Sequence, residues 1–334
     1  FAFNKYCLFS GTLYIFAPQA IFFTIIAGPS MIEISVIICT YNPERIPMNR
    51  VLNGLKAQTI STDFWELIIV DNGSKVQIID PEDISWHPRS KIVFEEKSGL
   101  VYARIKGIET AVGELIIFVD QDNELFPDFL ETALKIKSEF PHVGAFGGSL
   151  IGDFEIAPPA HLTNYLEMIA IREIRENRWS DKYHWETTPA GAGMVIRAEI
   201  ARNYVRNTKN NEVRLLFGRT GSSMMSSEDI DMAYTAIDMG YHCGLFKDLK
   251  LTHIIPKRRL TDEYMLNLVK YNNISSMLLD YVRFKICPAK IETDVKPTFA
   301  GKIRSFFKKP DFEHRVEMQR IAANHEFYRI IKAL

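Results

Sequence analysis

Three continuous apolar runs, ISVIIC (34–39), WELIIVD (65–71) and ELIIFVD (114–120), constrain this chain more than anything else in it. None alternates polar with apolar residues, so none reads as a strand with one wet face; each reads as a strand buried on both sides. Helices predicted at about 48–58, 100–112 and 127–140 lie between and after them, the last with Pro127 near its first turn. KIVFEE (91–96) and VGAFGGSL (143–150) add two strands. Strand and helix in repeated alternation predict an α/β fold, a mainly parallel sheet flanked by helices.

The second half predicts less regular structure. A helix at 162–177 leads through a Trp-rich stretch to a glycine-containing strand, PAGAGMVIR (189–197). Residues 206–226 are polar and rich in Gly and Ser, which predicts a mobile loop. A helix at 228–239, strands CGLF and LKLTHI, and helices at 262–284 and 312–332 follow. The division expected is a catalytic domain over 31–258 and a C-terminal helical appendage over 259–334.

With 334 residues the chain can bury a large core, and 40 basic against 41 acidic side chains give no footprint for nucleic acid. Cys7, Cys39, Cys243 and Cys287 are widely spaced, which argues against a disulfide framework or a zinc site and fits a reducing, cytoplasmic compartment. Residues 6–28 are uncharged and long enough to cross a bilayer as a helix. The reading preferred is that residues 1–30 are upstream sequence, because Met31 stands directly before the first strand.

In open α/β sheets ligands bind beyond the carboxyl ends of the strands. Here those ends carry Thr40-Tyr41-Asn42, Asp71-Asn72-Gly73-Ser74 and Asp120-Gln121-Asp122-Asn123. Two carboxylates two residues apart can hold Mg²⁺ or Mn²⁺, though Asp and Asn after a strand commonly just make turns. Asp71 could accept the imide N–H of a pyrimidine base or form an ordinary Asx turn. Glu228-Asp229 behind Ser226-Ser227 could be a helix cap with an acidic first turn, or could supply a general base. His253 matters only if the fold brings it to Asp122. Arg104 reads as a partner for a phosphate or a base.

Taken in order, SVIICTYN, VDNGS, GLVYARIKGI, IIFVDQDN, PAGAGM and SSEDIDMAYTAIDMGY resemble glycosyltransferase family 2, of the bacterial surface-polysaccharide type, over about residues 33–260. The resemblance implies a GT-A (Rossmann-like) fold and a metal-dependent, inverting transfer of a sugar from a nucleotide-sugar donor, UDP favoured, to a hydroxyl acceptor. It implies that Thr40, Tyr41, Asn42 and Glu44 line the nucleotide pocket, that Asp71 binds the base and that Arg104 approaches the nucleotide. Asp120 would contact the ribose or a metal-bound water, and Asp122 would bind Mn²⁺ or Mg²⁺ with His253. Asp229 would be the general base, Glu228 would position the acceptor, and Gly191, Ala192 and Gly193 would shape the sugar side.

Ile105 stands where many members carry Asn, Gln121 replaces the commoner Asp or Ala, and Ser227 replaces a common Gly. The acceptor expected is a saccharide or lipid-linked saccharide. Lys302, Arg304, Lys308 and Lys309 around Phe306 and Phe307 suggest peripheral contact with the inner face of the plasma membrane. A nucleotidyltransferase fits less well, because TYNPERIP is neither glycine-rich nor basic, and a non-catalytic sugar-nucleotide-binding subunit would not need the acidic pair.

Overall fold

The structure, a computed structural model, describes residues 32–76, 79–221, 223–291 and 311–334, together with the backbone of three short N-terminal strands. Those strands, Cys7–Phe9, Thr12–Ile15 and Phe23–Ile26, pair antiparallel in chain order as a separate sheet. Among the described residues no helix is long and apolar enough to cross a membrane. Most of the segment 6–28 lies outside the described residues. The basic stretch 302–309 lies outside the described residues.

The main sheet is built on four parallel strands: β1 (Ile34–Thr40), β2 (Trp65–Asp71), β3 (Ser90–Phe94) and β4 (Leu115–Val119). Successive side chains of a strand point to opposite faces, and both faces are covered here. Ile34, Val36 and Ile38 pack with Met48, Val51 and Leu55 of helix α1 (Arg45–Lys56). Ile37 turns the other way, into a cluster with Val101 and Ile108 of a second helix, Leu100–Thr110. That is why the runs are apolar without interruption; each fully buried Ile or Val contributes about 1.5–3 kcal/mol.

Beyond β4 the sheet becomes mixed. Its remaining strands are β5 (Asn123–Leu125), β6 (Val143–Phe154), β7 (Arg178–Ser180), β8 (Val195–Arg197) and β9 (His242–Ile255). The order is β7-β9-β6-β8-β4-β1-β2-β3, with β5 antiparallel to β9. β8 is antiparallel to both β4 and β6, and β9 runs parallel to β6.

Several expectations need correction. The segment predicted as a helix at 162–177 is a 3-10 helix, Ala160–Ile169, ended by Ala170 at φ 60. The chain then pairs Arg172 with Leu150 at the rim of β6. Only the last three residues of PAGAGMVIR form a strand. The strands CGLF and LKLTHI are one strand, β9, whose register shifts between Leu245 and Lys250 and leaves Lys247 and Asp248 exposed. Part of 206–226 is helical rather than loop: a helix runs to Thr208, another spans Glu212–Leu215, and Phe217 behind them is fully buried. The long C-terminal helices, Asp262–Phe284 and Phe312–Ala333, pack on each other through Ile274, Leu278 and Phe327.

Candidate active site

A cavity of about 720 Å³ opens at the carboxyl ends of β1 and β4, within the size range of about 300–1,000 Å³ typical of small-molecule sites. Thr40, Tyr41, Arg104, Asp120, Asp122, Gly191, Ala192, Glu228, Asp229 and His253 all line it. Asn42, Glu44, Asp71 and Gly193 do not. Asp71 accepts the backbone N–H of Ser74 at 2.9 Å, an Asx turn, and the Ser74 hydroxyl accepts from the Asn42 N–H at 2.8 Å. These bonds tie the loops after β1 and β2 together behind exposed Tyr41. Glu44 pairs at the surface with Arg258, and the open side of Gly193 faces Leu251 in the core.

Asp122 and His253 do meet. β5 pairs with β9 so that His253 lies opposite Asn123, which brings its Nε2 to 3.6 Å from Asp122 Oδ1. Arg259 joins them from the turn after β9: Nη2 donates to Asp122 Oδ2 at 2.8 Å, and Nη1 lies 3.1 Å from His253 Nε2. Burial opposes the Asp122 charge, but the neighbouring His253 and the Arg259 charge outweigh it and hold the carboxyl well below its usual range. Among the described residues no three acidic, His or Cys side chains cluster as a metal site. An oxygen and a nitrogen donor nevertheless already converge on a cation here. That donor set fits a divalent ion whose shell is completed by phosphates and water.

The acidic pair stands on the helix Glu228–Asp238. Ser227 makes no side-chain cap, so this segment is not an ordinary serine-capped start. Buried Arg104 lies between two acids: its Nη1 is 3.2 Å from Glu228 Oε1 and its Nη2 is 3.8 Å from Asp120 Oδ1. Its guanidinium also rests 5.1 Å from the Phe118 ring centroid. Burial pushes Glu228 up to about 7 against the pull of Arg104. Asp229 is oriented by backbone: Oδ2 accepts from Gly191 N–H at 2.7 Å and Oδ1 from Ile230 N–H at 2.8 Å. A Cβ at position 191 would come within 2.6 Å of Arg104 Nη2 and 3.1 Å of Asp229 Cβ, so any side chain there would have to push the Arg104 guanidinium aside.

Sequence reasoning missed three contributors. Arg259 was hidden in a basic cluster, KRR, whose distance from Asp122 in sequence gave no hint of contact. Arg219 lines the cavity from the segment read as a loop. The third is the helix Asp262–Phe284, expected to be an appendage. Its Tyr264, Leu268, Asn272, Ser276 and Leu279 recur at helical spacing on one face and line the cavity. Ser226 fastens that wall to the acidic pair, donating from its hydroxyl to Asn272 at 2.9 Å and from its N–H to Ser275 at 3.0 Å. On the far side Asp231, fully buried, pairs with Arg283 at 2.5 Å.

A parallel β-sheet core continued by antiparallel strands, with acids at the end of β4 and an acidic pair opening a helix, defines the GT-A class of fold. The chain belongs to glycosyl transferase family 2, whose family model matches residues 35–205, about half its length. It is 28% identical over 135 residues to the glucosyl-dolichyl phosphate glucuronosyltransferase of Haloferax volcanii, covering 38% of this chain and 41% of that one. Its matches span less than half the length of the first curated relatives. Among solved structures it resembles S. aureus TarS 1-349 in complex with UDP-GlcNAc, at 17% identity and TM-score 0.53, over 89% of this chain and 80% of that one. It also resembles the mannosyltransferase PcManGT of Pyrobaculum calidifontis in complex with GDP-Man and Mn²⁺, at 18% identity and TM-score 0.51, over 90% and 79%. At such identities the likeness is one of fold.

Proposed function

We propose that this chain is an inverting, metal-dependent glycosyltransferase that moves a sugar from a nucleotide-sugar donor, UDP favoured, to a hydroxyl of a saccharide or lipid-linked saccharide. One observation carries the reading: a single cavity gathers Asp120, Asp122, His253, Arg104, Arg219 and Arg259 with the Glu228-Asp229 pair. Thr40 and Tyr41 take the nucleotide, and Arg219 and Arg259 face its diphosphate. Asp122 and His253 would hold Mn²⁺ or Mg²⁺, which when bound would supply Lewis-acid stabilisation of the departing phosphate.

Asp229 acts as the general base. It takes the proton of the acceptor hydroxyl as that oxygen bonds to the anomeric carbon, while the bond to the diphosphate breaks and its electron pair leaves with the nucleotide. One carboxylate acting opposite the leaving group gives inversion. Glu228, held by Arg104, positions the acceptor. The catalytic unit is assigned to 31–258, with helix 262–284 closing its acceptor side. Work at the inner face of the plasma membrane belongs to the same proposal.

A thermal-shift panel of UDP-, dTDP- and GDP-sugars, with and without Mn²⁺, tests the donor assignment. The expected result is stabilisation by a UDP-sugar that depends on Mn²⁺. No stabilisation by any nucleotide sugar would overturn the reading.

A further inference from the structure

Trp185 opens the short turn Trp185–Thr187 on the cavity wall and is 53% exposed as a residue. A residue of this size is ordinarily well covered, as Trp65 is at 1%. The indole is nonetheless fixed. The Arg172 guanidinium lies over the ring, 5.2 Å from its centroid, and donates to the carbonyl oxygens of Trp185 at 3.2 Å and Thr188 at 3.0 Å. Arg172 is itself pinned by two backbone hydrogen bonds to Leu150, at 2.8 and 3.1 Å. The Thr187 and Thr188 hydroxyls both donate to the His184 carbonyl, which closes the turn. From Thr188 the chain passes Pro189 and Ala190 to Gly191, the residue that holds Asp229.

Trp185 is tied through Arg172 to β6, which in the sheet order stands three strands from β1, the strand that Thr40 ends and Tyr41 follows. A rigid aromatic face at the acceptor end of such a cavity suits a pyranose. One face of that ring presents C–H bonds that meet the negative face of an indole, while its hydroxyls stay at the edge for polar partners such as Glu167 on the same wall.

We propose that Trp185 is the stacking platform for the acceptor's pyranose ring and that Arg172 is its positioning residue. The inference rests on the donor and base assignment above. Saturation-transfer NMR of methyl pyranosides (gluco, galacto, manno, N-acetylgluco, rhamno and glucurono) with the full chain, UDP and Mn²⁺ tests it. We expect at least one pyranoside to bind the wild type through the C–H protons of one ring face. Trp185→Ala should weaken that binding about tenfold and Trp185→Phe less, with UDP affinity unchanged in both. Arg172→Met should weaken pyranoside binding less than Trp185→Ala and shift the Trp185 fluorescence. Equal saccharide affinity in wild type and Trp185→Ala, or binding of none of the pyranosides, would overturn the proposal. So would loss of UDP affinity in Trp185→Ala, which would assign the indole to the nucleotide. UDP binding by the wild type, read in the same samples, tests the donor assignment separately.

Discussion

Arg259 donates to Asp122 at 2.8 Å while its other terminal nitrogen lies 3.1 Å from His253, so a guanidinium stands between the two residues best placed to bind a metal. A diphosphate bound beside Arg219 and Arg259 would draw Arg259 toward itself and so free Asp122 and His253 to hold a divalent ion.

Asp122→Ala is therefore expected to abolish both transfer and Mn²⁺-dependent binding of UDP. Arg259→Met should do the opposite to the metal: without nucleotide it should bind Mn²⁺ more tightly, by about tenfold or 1.4 kcal/mol, while binding UDP less well. Titration calorimetry with Mn²⁺ alone and then with UDP separates the two effects. Unchanged turnover of the wild type in excess chelator would remove the metal from the account.

Asp229→Asn should leave donor affinity nearly intact and lower turnover about 10²–10⁴-fold, the usual contribution of a general base. Asparagine keeps the shape but can accept only one of the Gly191 and Ile230 N–H groups, which bond different oxygens of Asp229, so a modest loss of stability should accompany the loss of turnover. Steady-state kinetics beside Glu228→Gln decides the assignment. If the Asp229 variant survives and the Glu228 variant is dead, Glu228 is the base.

Glu228 gives a pH-dependent stability signature. Burial raises its pKa from 4.5 to about 7, so the folded state holds a proton there that the unfolded chain releases. Its stabilising contribution is full below the unfolded value and is lost as pH rises through about 7. Glu228→Gln should accordingly gain stability over wild type between about pH 5 and pH 8.5, by about 2–3 kcal/mol at most. Urea unfolding at both pH values measures it; a difference independent of pH would contradict the shift.

Gly191→Ala places a methyl within 2.6 Å of the Arg104 guanidinium. The expected cost is about 1–3 kcal/mol of stability, the range for overpacking, with a larger loss of turnover because Arg104 and Asp229 are displaced together. Denaturation midpoint and turnover, measured on one preparation, test this; a fully active, fully stable variant would show that the close packing has no role.

The parallel half of the sheet was legible because each strand, closed in on both faces, must be apolar throughout. Ile37 packs on one face of β1 while its neighbours Val36 and Ile38 pack on the other. The helix Asp262–Phe284 was legible in extent but not in function, since nothing in its spacing says that Leu268 and Asn272 face a cavity. Of the motifs, the fold brings His253 to Asp122, the condition on which His253 mattered, whereas Asp71 makes the ordinary turn that its sequence equally allowed. Arg172 and Arg259 could not be read at all. Their roles depend on side chains reaching across strands, and a short basic run looks the same in sequence whether it faces solvent or an aspartate.

The central claim is cleavage of a nucleotide sugar with inversion in this cavity. The most direct measurement is time-resolved proton NMR of the UDP-α-hexose that best stabilises the protein, incubated with Mn²⁺ and with water as acceptor. The account predicts release of UDP with the β-anomer of the sugar appearing first, and no release by Asp122→Ala or Asp229→Asn. Initial appearance of the α-anomer would contradict inversion, and absence of any cleavage by the wild type would contradict the account as a whole.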